Sequence, residues 1–81
     1  MLVSIANAIP DHDPIDCEAE QDGDTFTVVR SALPAEFGAV IGDMVLDGRP
    51  VLEITFTQAQ AGAVVVFHVE PGVIAKRRRP R

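Results

Sequence analysis

Alternating apolar and polar residues on both sides of an Asp-Gly dipeptide restrict much of this chain to antiparallel β structure. Such alternation is typical of a strand with one buried face, and Asp-Gly favours a two-residue hairpin loop. The first dipeptide of this kind, Asp22-Gly23, lies within residues 15–30. The sequence therefore predicts a hairpin there, with Gln21 paired to Asp24.

This register predicts a hairpin with one apolar and one acidic face. On the apolar side it places Ala19 opposite Phe26 and Cys17 opposite Val28, and Ile15 continues the same face. The remaining side is acidic, and we interpret it as a candidate partner-binding face. Its carboxylates are Asp16, Glu18, Glu20, Asp22 and Asp24.

A second dipeptide, Asp47-Gly48, predicts a second hairpin between residues 43–46 and 51–57. Apolar side chains in the later segment alternate with polar ones, Leu52, Ile54 and Phe56 against Glu53, Thr55 and Thr57. Pro50 cannot donate a ladder hydrogen bond and therefore indicates a sheet edge or a wider loop.

Two further strands are predicted, Leu2–Ala6 and Ala63–Val69. The second is apolar on both faces except at His68, which is typical of a strand covered on both sides. One candidate cover is a short helix over 34–41, whose apolar stripe is Phe37, Val40 and Ile41. Gly38 and the β-branched Val40 and Ile41 weaken that helix, so the alternative for these residues is a segment that leads into a strand. The other candidate cover is a second copy of the protein, and the sequence does not choose between the two covers.

We therefore predict a mainly β fold, a small antiparallel sheet, barrel or sandwich of two or three hairpins, with room for one short helix near 34–41. A chain of 81 residues holds one modest core. Pro71-Gly72 ends the strand pattern, so residues 1–72 are predicted to form the acidic domain and 73–81 a basic C-terminal tail.

The cellular setting is also constrained by the sequence. The single cysteine, Cys17, excludes an intramolecular disulfide and favours a reducing, intracellular origin. The first residues lack the cationic start and long apolar run of a secretory signal peptide. The longest apolar stretch, Ala63–Val69, falls short of the roughly 20 residues that span a bilayer, so we expect a soluble protein with no membrane partner.

Charge is divided unevenly along the chain. Residues 1–75 carry two cations, Arg30 and Arg49, against all twelve carboxylates, a net charge of −10. The last six residues carry five cations and no anion. We predict that these cations bind a partner, and they are Lys76, Arg77, Arg78, Arg79 and Arg81.

The partner expected for this tail is an acidic protein surface, and the nearest one belongs to another copy of the chain. Nucleic acid is the usual ligand of such a segment, but a body of this charge repels phosphates and offers no aromatic platform for bases. Binding of nucleic acid through the tail remains an alternative.

The stretch Asp11–Glu18 contains every common type of metal ligand, but not at the spacing that a metal site needs. The fifth position counted from Asp11 is Ile15 and the sixth is Asp16, which does not fit an EF-hand loop. Zinc favours paired cysteines or histidines at short intervals, and neither pair is present. We therefore predict a solvated acidic loop and no metal.

No arrangement of residues supports catalysis. Cys17 with His12 or His68 is conceivable as a dyad, and Ser4 or Ser31 as a nucleophile, but nothing in the sequence positions them. The carboxylates next to Cys17 raise a thiol pKa rather than lower it. Glu18 and Glu20 are as well explained by a solvated strand face, and no glycine-rich phosphate loop is present. We expect neither an enzyme, nor a cofactor, nor a small-molecule substrate.

The function expected is that of a structural or assembly protein that packs with copies of itself or with a larger scaffold. A virion shell or cement component fits this description. The first alternative is a small acidic inhibitor or adaptor that binds a basic site on a larger protein. The second is a nucleic-acid binder that acts through its tail.

Overall fold

The computed structural model describes residues 1–38, 40–60 and 62–71. These residues form seven β-strands in one antiparallel sheet, so the predicted mainly β fold is confirmed. The strands are β1 Leu2–Ala6, β2 Ile15–Glu18, β3 Glu20–Asp22, β4 Thr25–Val29, β5 Val45–Leu46, β6 Arg49–Ala59 and β7 Gly62–Val69. In the described part of the chain the helical structure is a single 3₁₀ turn, Arg30–Ala32.

The sheet curves so that its two outermost strands, β2 and β3, are consecutive in the sequence. The strand order is β2-β1-β5-β6-β7-β4-β3, and only Ala19 separates β2 from β3 in sequence. Residues 15–19 pair with β1, where the Ala19 N–H donates to the Met1 carbonyl at 2.8 Å. Residues 20–22 pair with β4. The bend at Ala19 therefore joins the two halves of the sheet around one interior.

That interior is apolar throughout, and none of the described polar or charged residues is buried. Phe26 on β4 pairs directly with Phe67 on β7, and both rings are fully buried. The buried cluster around them is Val3, Ile5, Ile15, Cys17, Ala19, Val28, Leu33, Phe37, Met44, Leu46, Val51, Val65 and Val69. Burial of each large side chain of this kind stabilises a fold by about 1.5–3 kcal/mol.

The first hairpin forms, but its register differs from the prediction by two residues. Asp22 pairs with Thr25, so the loop is Gly23-Asp24, with a φ of 63° at its first residue as a type II′ turn requires. An even shift leaves each side chain on its predicted face, and the same residues are buried.

The two cross-strand pairs predicted for this hairpin are wrong. Cys17 lies opposite Val3 on β1 rather than opposite Val28, and Phe26 lies opposite Gln21 rather than Ala19. The reason is the bend at Ala19, which gives the first part of the segment to β1 and leaves only three residues to pair with β4.

The second hairpin has the predicted two-residue loop. Leu46 pairs with Arg49, and Asp47 and Gly48 have φ values of 54° and 80°, the pair of positive angles of a type I′ turn. Pro50 causes no wider loop. Pairing with the segment before the hairpin loop continues at Val51. On the opposite side of the strand, the Pro50 carbonyl accepts the Glu70 N–H at 2.9 Å.

A β-bulge in β6 overturns one part of the predicted alternation. The register shifts between Val51 and Glu53, so Val51 and Ile54 both face the interior. Leu52, expected on the apolar face with Ile54, is instead 59% exposed. The extra residue of a bulge is left out of the pairing, and here it is Leu52.

No helix forms in the described residues of the 34–41 segment. Phe37 donates its N–H to the Pro34 carbonyl at 3.0 Å, an isolated turn that Gly38 does not continue as a helix. Phe37 is nonetheless buried, with its ring centroid 5.8 Å from that of Phe67. Val40, predicted on the same stripe, is exposed.

Strand β7 forms as predicted, although its two faces are covered unequally. Val65, Phe67 and Val69 are buried on the inner face. On the outer face Val64 is buried, but Val66 and His68 are only half-buried. The second face of this strand is therefore in partial contact with solvent.

We expect Gly48→Ala to lower the free energy of unfolding by roughly 1–2 kcal/mol, because an L residue at a φ of 80° is strained. Gly38→Ala is the matched control. A Cβ at Gly38 meets no heavy atom within 4 Å, and its φ is not in the left-handed region. That control should be neutral or stabilising by about 0.4–1 kcal/mol. Urea titration of both variants measures the difference, and equal effects would contradict the type I′ assignment.

Candidate functional site

Four exposed carboxylates form a line along the outer face of one stretch of chain. They are Asp16, Glu18, Glu20 and Asp22, called here the acidic column. Asp16, Glu18 and Glu20 alternate with buried Cys17 and Ala19, whereas all three residues of β3 are exposed. Because a strand rises about 3.3 Å per residue, Asp16 and Glu18 on β2, and likewise Glu20 and Asp22 on β3, are spaced roughly 7 Å apart along the chain.

Asp24, the fifth carboxylate predicted for this face, is not part of the column. It lies in the β3–β4 turn, where its Oδ1 accepts a hydrogen bond from Arg49 Nη2 at 2.6 Å. Arg49 also donates from Nε to the Glu70 carbonyl at 3.0 Å and lies 5.9 Å from the centre of the Phe26 ring. Asp24 thus helps to hold β4, β6 and the end of β7 together.

Arg30, the other arginine of residues 1–75, is also used inside the fold. It donates to the carbonyls of Leu33, Pro34 and Phe37 at 3.3, 3.2 and 3.4 Å, and its guanidinium lies 6.0 Å from the centre of the Phe37 ring. Arg30 therefore fixes the segment that covers the core. Neither arginine is left to neutralise the acidic column.

The immediate neighbours of the column carry no charged side chain. On β1, Ser4 lies opposite Asp16 and Leu2 opposite Glu18. On β4, Thr27 and Thr25 lie opposite Glu20 and Asp22. Among the described residues, the one cationic group in contact with the column is the amino nitrogen of Met1, 3.0 Å from Glu18 Oε2. An ionised carboxylate accepts hydrogen bonds but cannot donate them, so the column suits a cationic or hydrogen-bond-donating partner.

Cys17 is buried as predicted, and its surroundings keep the thiol protonated. Burial raises the pKa of Cys17, and the charges of Asp16 and Glu18 raise it further. His12 and His68 do not complete a dyad with it. The Nδ1 of His12 lies 2.8 Å from the Asp13 carbonyl oxygen, and the Nε2 of His68 lies 3.4 Å from Thr55 Oγ1 on the outer face of the sheet.

The candidate serines are likewise separate from these groups. The Ser4 carbonyl accepts the Asp47 N–H at 3.0 Å in the sheet, and Ser31 is exposed in the 3₁₀ turn. No nucleophile and base predicted from the sequence are brought together in the part of the chain that the structure describes.

The candidate ligands at Asp11–Glu18 do not converge either. Within residues 1–38, 40–60 and 62–71 no three His, Cys, Asp or Glu side chains are close enough to hold a metal ion. Asp11, His12 and Asp13 instead line an open cleft of about 720 Å³, with Glu36 and Asp43 on its other side.

This cleft was not predicted from the sequence. It depends on a contact between distant segments, in which Asn7 Nδ2 donates to the Asp43 carbonyl at 3.1 Å. Asn7 and Asp11 both have a φ of 60°, a conformation that Asn and Asp adopt more readily than other side chains. The Asn and Asp residues near Pro10 are the only local signal of the turn that shapes this cleft.

The basic residues predicted to bind a partner, Lys76–Arg81, lie outside the described residues, and so does the proposed start of the tail at residue 73. The site that the structure describes is therefore the acidic column alone.

Comparison with protein-family models, with curated proteins and with solved structures finds no match. In the described residues, no helix combines the length and hydropathy needed to cross a membrane.

The raised pKa of Cys17 predicts a loss of stability in alkali. The unfolded thiol releases its proton near the ordinary value of 9.0, whereas the folded thiol retains it at that pH. This contribution to stability is complete below that value and is lost as pH rises through the folded pKa. We expect the free energy of unfolding of the wild type to fall, relative to Cys17→Ala, between about pH 8 and pH 11.

Urea titrations of both proteins across this pH range measure the effect. Because the two chains share every other titratable group, their difference isolates the thiol. If the free energies of unfolding of the two proteins differ by a constant amount up to pH 11, the raised pKa of Cys17 is contradicted.

Proposed function

We propose that this chain is a non-enzymatic assembly protein, in which the basic tail of one copy docks on the acidic column of another copy. The observation that carries the proposal is the acidic column itself. It presents four aligned carboxylates, while both arginines of the body are engaged in contacts within the fold. Because the Met1 amino group contacts only Glu18, a neutralising partner for the other three carboxylates must come from the tail or from another molecule.

The spacing of the column favours an extended basic segment as its partner. Alternate side chains of an extended peptide repeat at about the same 7 Å as the carboxylates. Each exposed ion pair contributes only roughly 0.2–1 kcal/mol, so several pairs are needed for a stable contact. An extended tail supplies three cations at alternate positions, Arg77, Arg79 and Arg81, which is enough to pair with three of the four carboxylates.

The same column supports one alternative, an acidic inhibitor or adaptor that binds a basic site on a larger protein. Assembly is preferred because the chain carries both complementary charges, so that identical copies satisfy each other. A virion shell or cement component remains a specific form of this proposal. Nucleic-acid binding through the tail is less favoured, since the acidic body repels phosphates.

The test is sedimentation of the full-length chain and of a chain lacking residues 76–81. The deletion removes no residue of the described core, so the domain should stay folded. We expect the deletion to weaken self-association, and about 1 M salt to weaken it as well, because the Debye length falls from about 8 Å to about 3 Å.

A matched pair of variants locates the docking surface. The double variant Glu20→Gln with Asp22→Asn neutralises half of the column, and Glu36→Gln with Glu70→Gln removes the same charge elsewhere on the domain. Only the first pair should weaken association. Equal effects of the two pairs, or none from the deletion and from salt, would rule out docking of the tail on the column.

A further inference from the structure

Strand β6 has a long edge that no other strand covers in the described part of the chain. On one side, residues 51–59 pair with β7. On the other side β5 reaches only Arg49 and Pro50, and the last backbone hydrogen bond runs from the Val51 N–H to the Met44 carbonyl at 3.0 Å. Beyond it, none of residues 1–38, 40–60 and 62–71 forms a backbone hydrogen bond with this edge as far as Ala59.

The pairing of β7 shows which residues point their backbone groups to this edge. The Val69 N–H donates to the Asp24 carbonyl, so odd-numbered residues of β7 bond β4 and even-numbered residues bond β6. Their partners on β6 are the odd-numbered residues from 53 to 59. The N–H and C=O groups of Ile54, Phe56 and Gln58 therefore face outward.

This edge lacks most of the features that prevent pairing between strands of different molecules. Such features are lysines, prolines and short length. From Val51 to Ala59 the strand holds no lysine, arginine or proline, and its one charged residue is Glu53. The Phe56 side chain is 46% exposed although its ring lies 6.2 Å from that of Phe37.

We propose that β6 of a second copy pairs antiparallel with this edge across a two-fold axis at Phe56, forming a dimer with a continuous sheet. The inference deepens the proposed assembly function, on which it rests. Self-complementarity argues for a second copy as the occupant, because the outward groups of Ile54 and Gln58 lie at equal distances on either side of Phe56 and no charge on one edge meets a like charge on the other. Although two bodies of −10 repel each other at long range, residues 54–60 are an uncharged stretch, so this edge is where two copies can approach at the lowest electrostatic cost.

The position of the axis follows from the outward-facing groups. With Phe56 opposite itself, Ile54 lies opposite Gln58 of the second copy, and all three outward residues form hydrogen bonds. Thr55 then faces Thr57, a favourable cross-strand pair, and Glu53 faces Ala59 rather than another carboxylate. An axis at Thr55 would instead need Leu52, which the bulge removes from the ladder.

The test combines two variants of the edge with one control in the full-length chain. Gln58→Pro removes an outward N–H but no bond to β7, a position where an edge strand tolerates proline. Phe56→Lys puts two like charges at the axis. Val29→Lys adds the same charge on β4 at a side chain that is also 46% exposed. Circular dichroism checks that each variant is folded.

Sedimentation equilibrium measures the dimer dissociation constant of each protein. Both edge variants should raise it about tenfold or more, because Gln58→Pro removes two interchain hydrogen bonds and Phe56→Lys adds repulsion at the axis. Val29→Lys should leave it within about twofold. If Gln58→Pro does not fold, Phe56→Lys alone decides the result.

A cysteine placed at residue 56 tests the register. Residues in a hydrogen-bonded antiparallel pair have Cα atoms about 5.5 Å apart, within the range of a disulfide. Oxidation of Phe56→Cys with diamide should therefore give a covalent dimer, whereas Ile54→Cys, opposite Gln58, should not. Native Cys17 is buried and should not interfere. Equal cross-linking at both positions would overturn the axis at Phe56.

Salt and the tail deletion separate this inference from the proposed function. A dimer that persists in about 1 M salt and without residues 76–81, but is lost in the edge variants, supports pairing through β6. If deletion of the tail abolishes association and the edge variants leave it unchanged, the proposed function stands and the edge pairing is overturned. A wild-type chain that stays monomeric under all conditions overturns both.

Discussion

The fold depends on a change of partner at Ala19. The segment 15–22 bonds β1 with its first half and β4 with its second half, and through it the two ends of the sheet are joined. Without this switch, β1 and β5 would extend the sheet away from Phe26 and Phe67, and the apolar faces of both halves would remain in water. The small side chain of Ala19 is buried at the corner, where the two halves approach each other.

The distribution of cations links this fold to its surface chemistry. Each body arginine holds a contact within the fold. Arg49 joins the β3–β4 turn to the end of β7, and Arg30 holds the neighbouring segment that covers the core. Neither arginine is therefore left for the outer face, and the column on residues 15–22, contacted only by the Met1 amino group among the described residues, keeps most of its negative charge. The contacts of Arg30 and Arg49 therefore stabilise the fold and, at the same time, leave the acidic column without a cationic side chain beside it.

The sequence predicts those features that are set locally. The loop at Asp47-Gly48 and the strand 63–69 follow from residue types and alternation alone, and the outward direction of the column survives because an even shift of register leaves each side chain on its face. The partner of residues 15–19 depends on tertiary structure and could not be read locally. The same is true of the bulge at Leu52, and of the Asp24 ion pair, which joins residues 25 positions apart.

The open edge of β6 and the acidic column differ in the symmetry that each imposes. Pairing of the same edge in two copies is isologous, so it closes at two subunits and leaves no further edge of that kind. A tail that docks on a column is a head-to-tail contact between unlike surfaces, which closes into a ring or continues as a filament. A chain with both contacts has dimers as its building blocks and a salt-sensitive means of linking them.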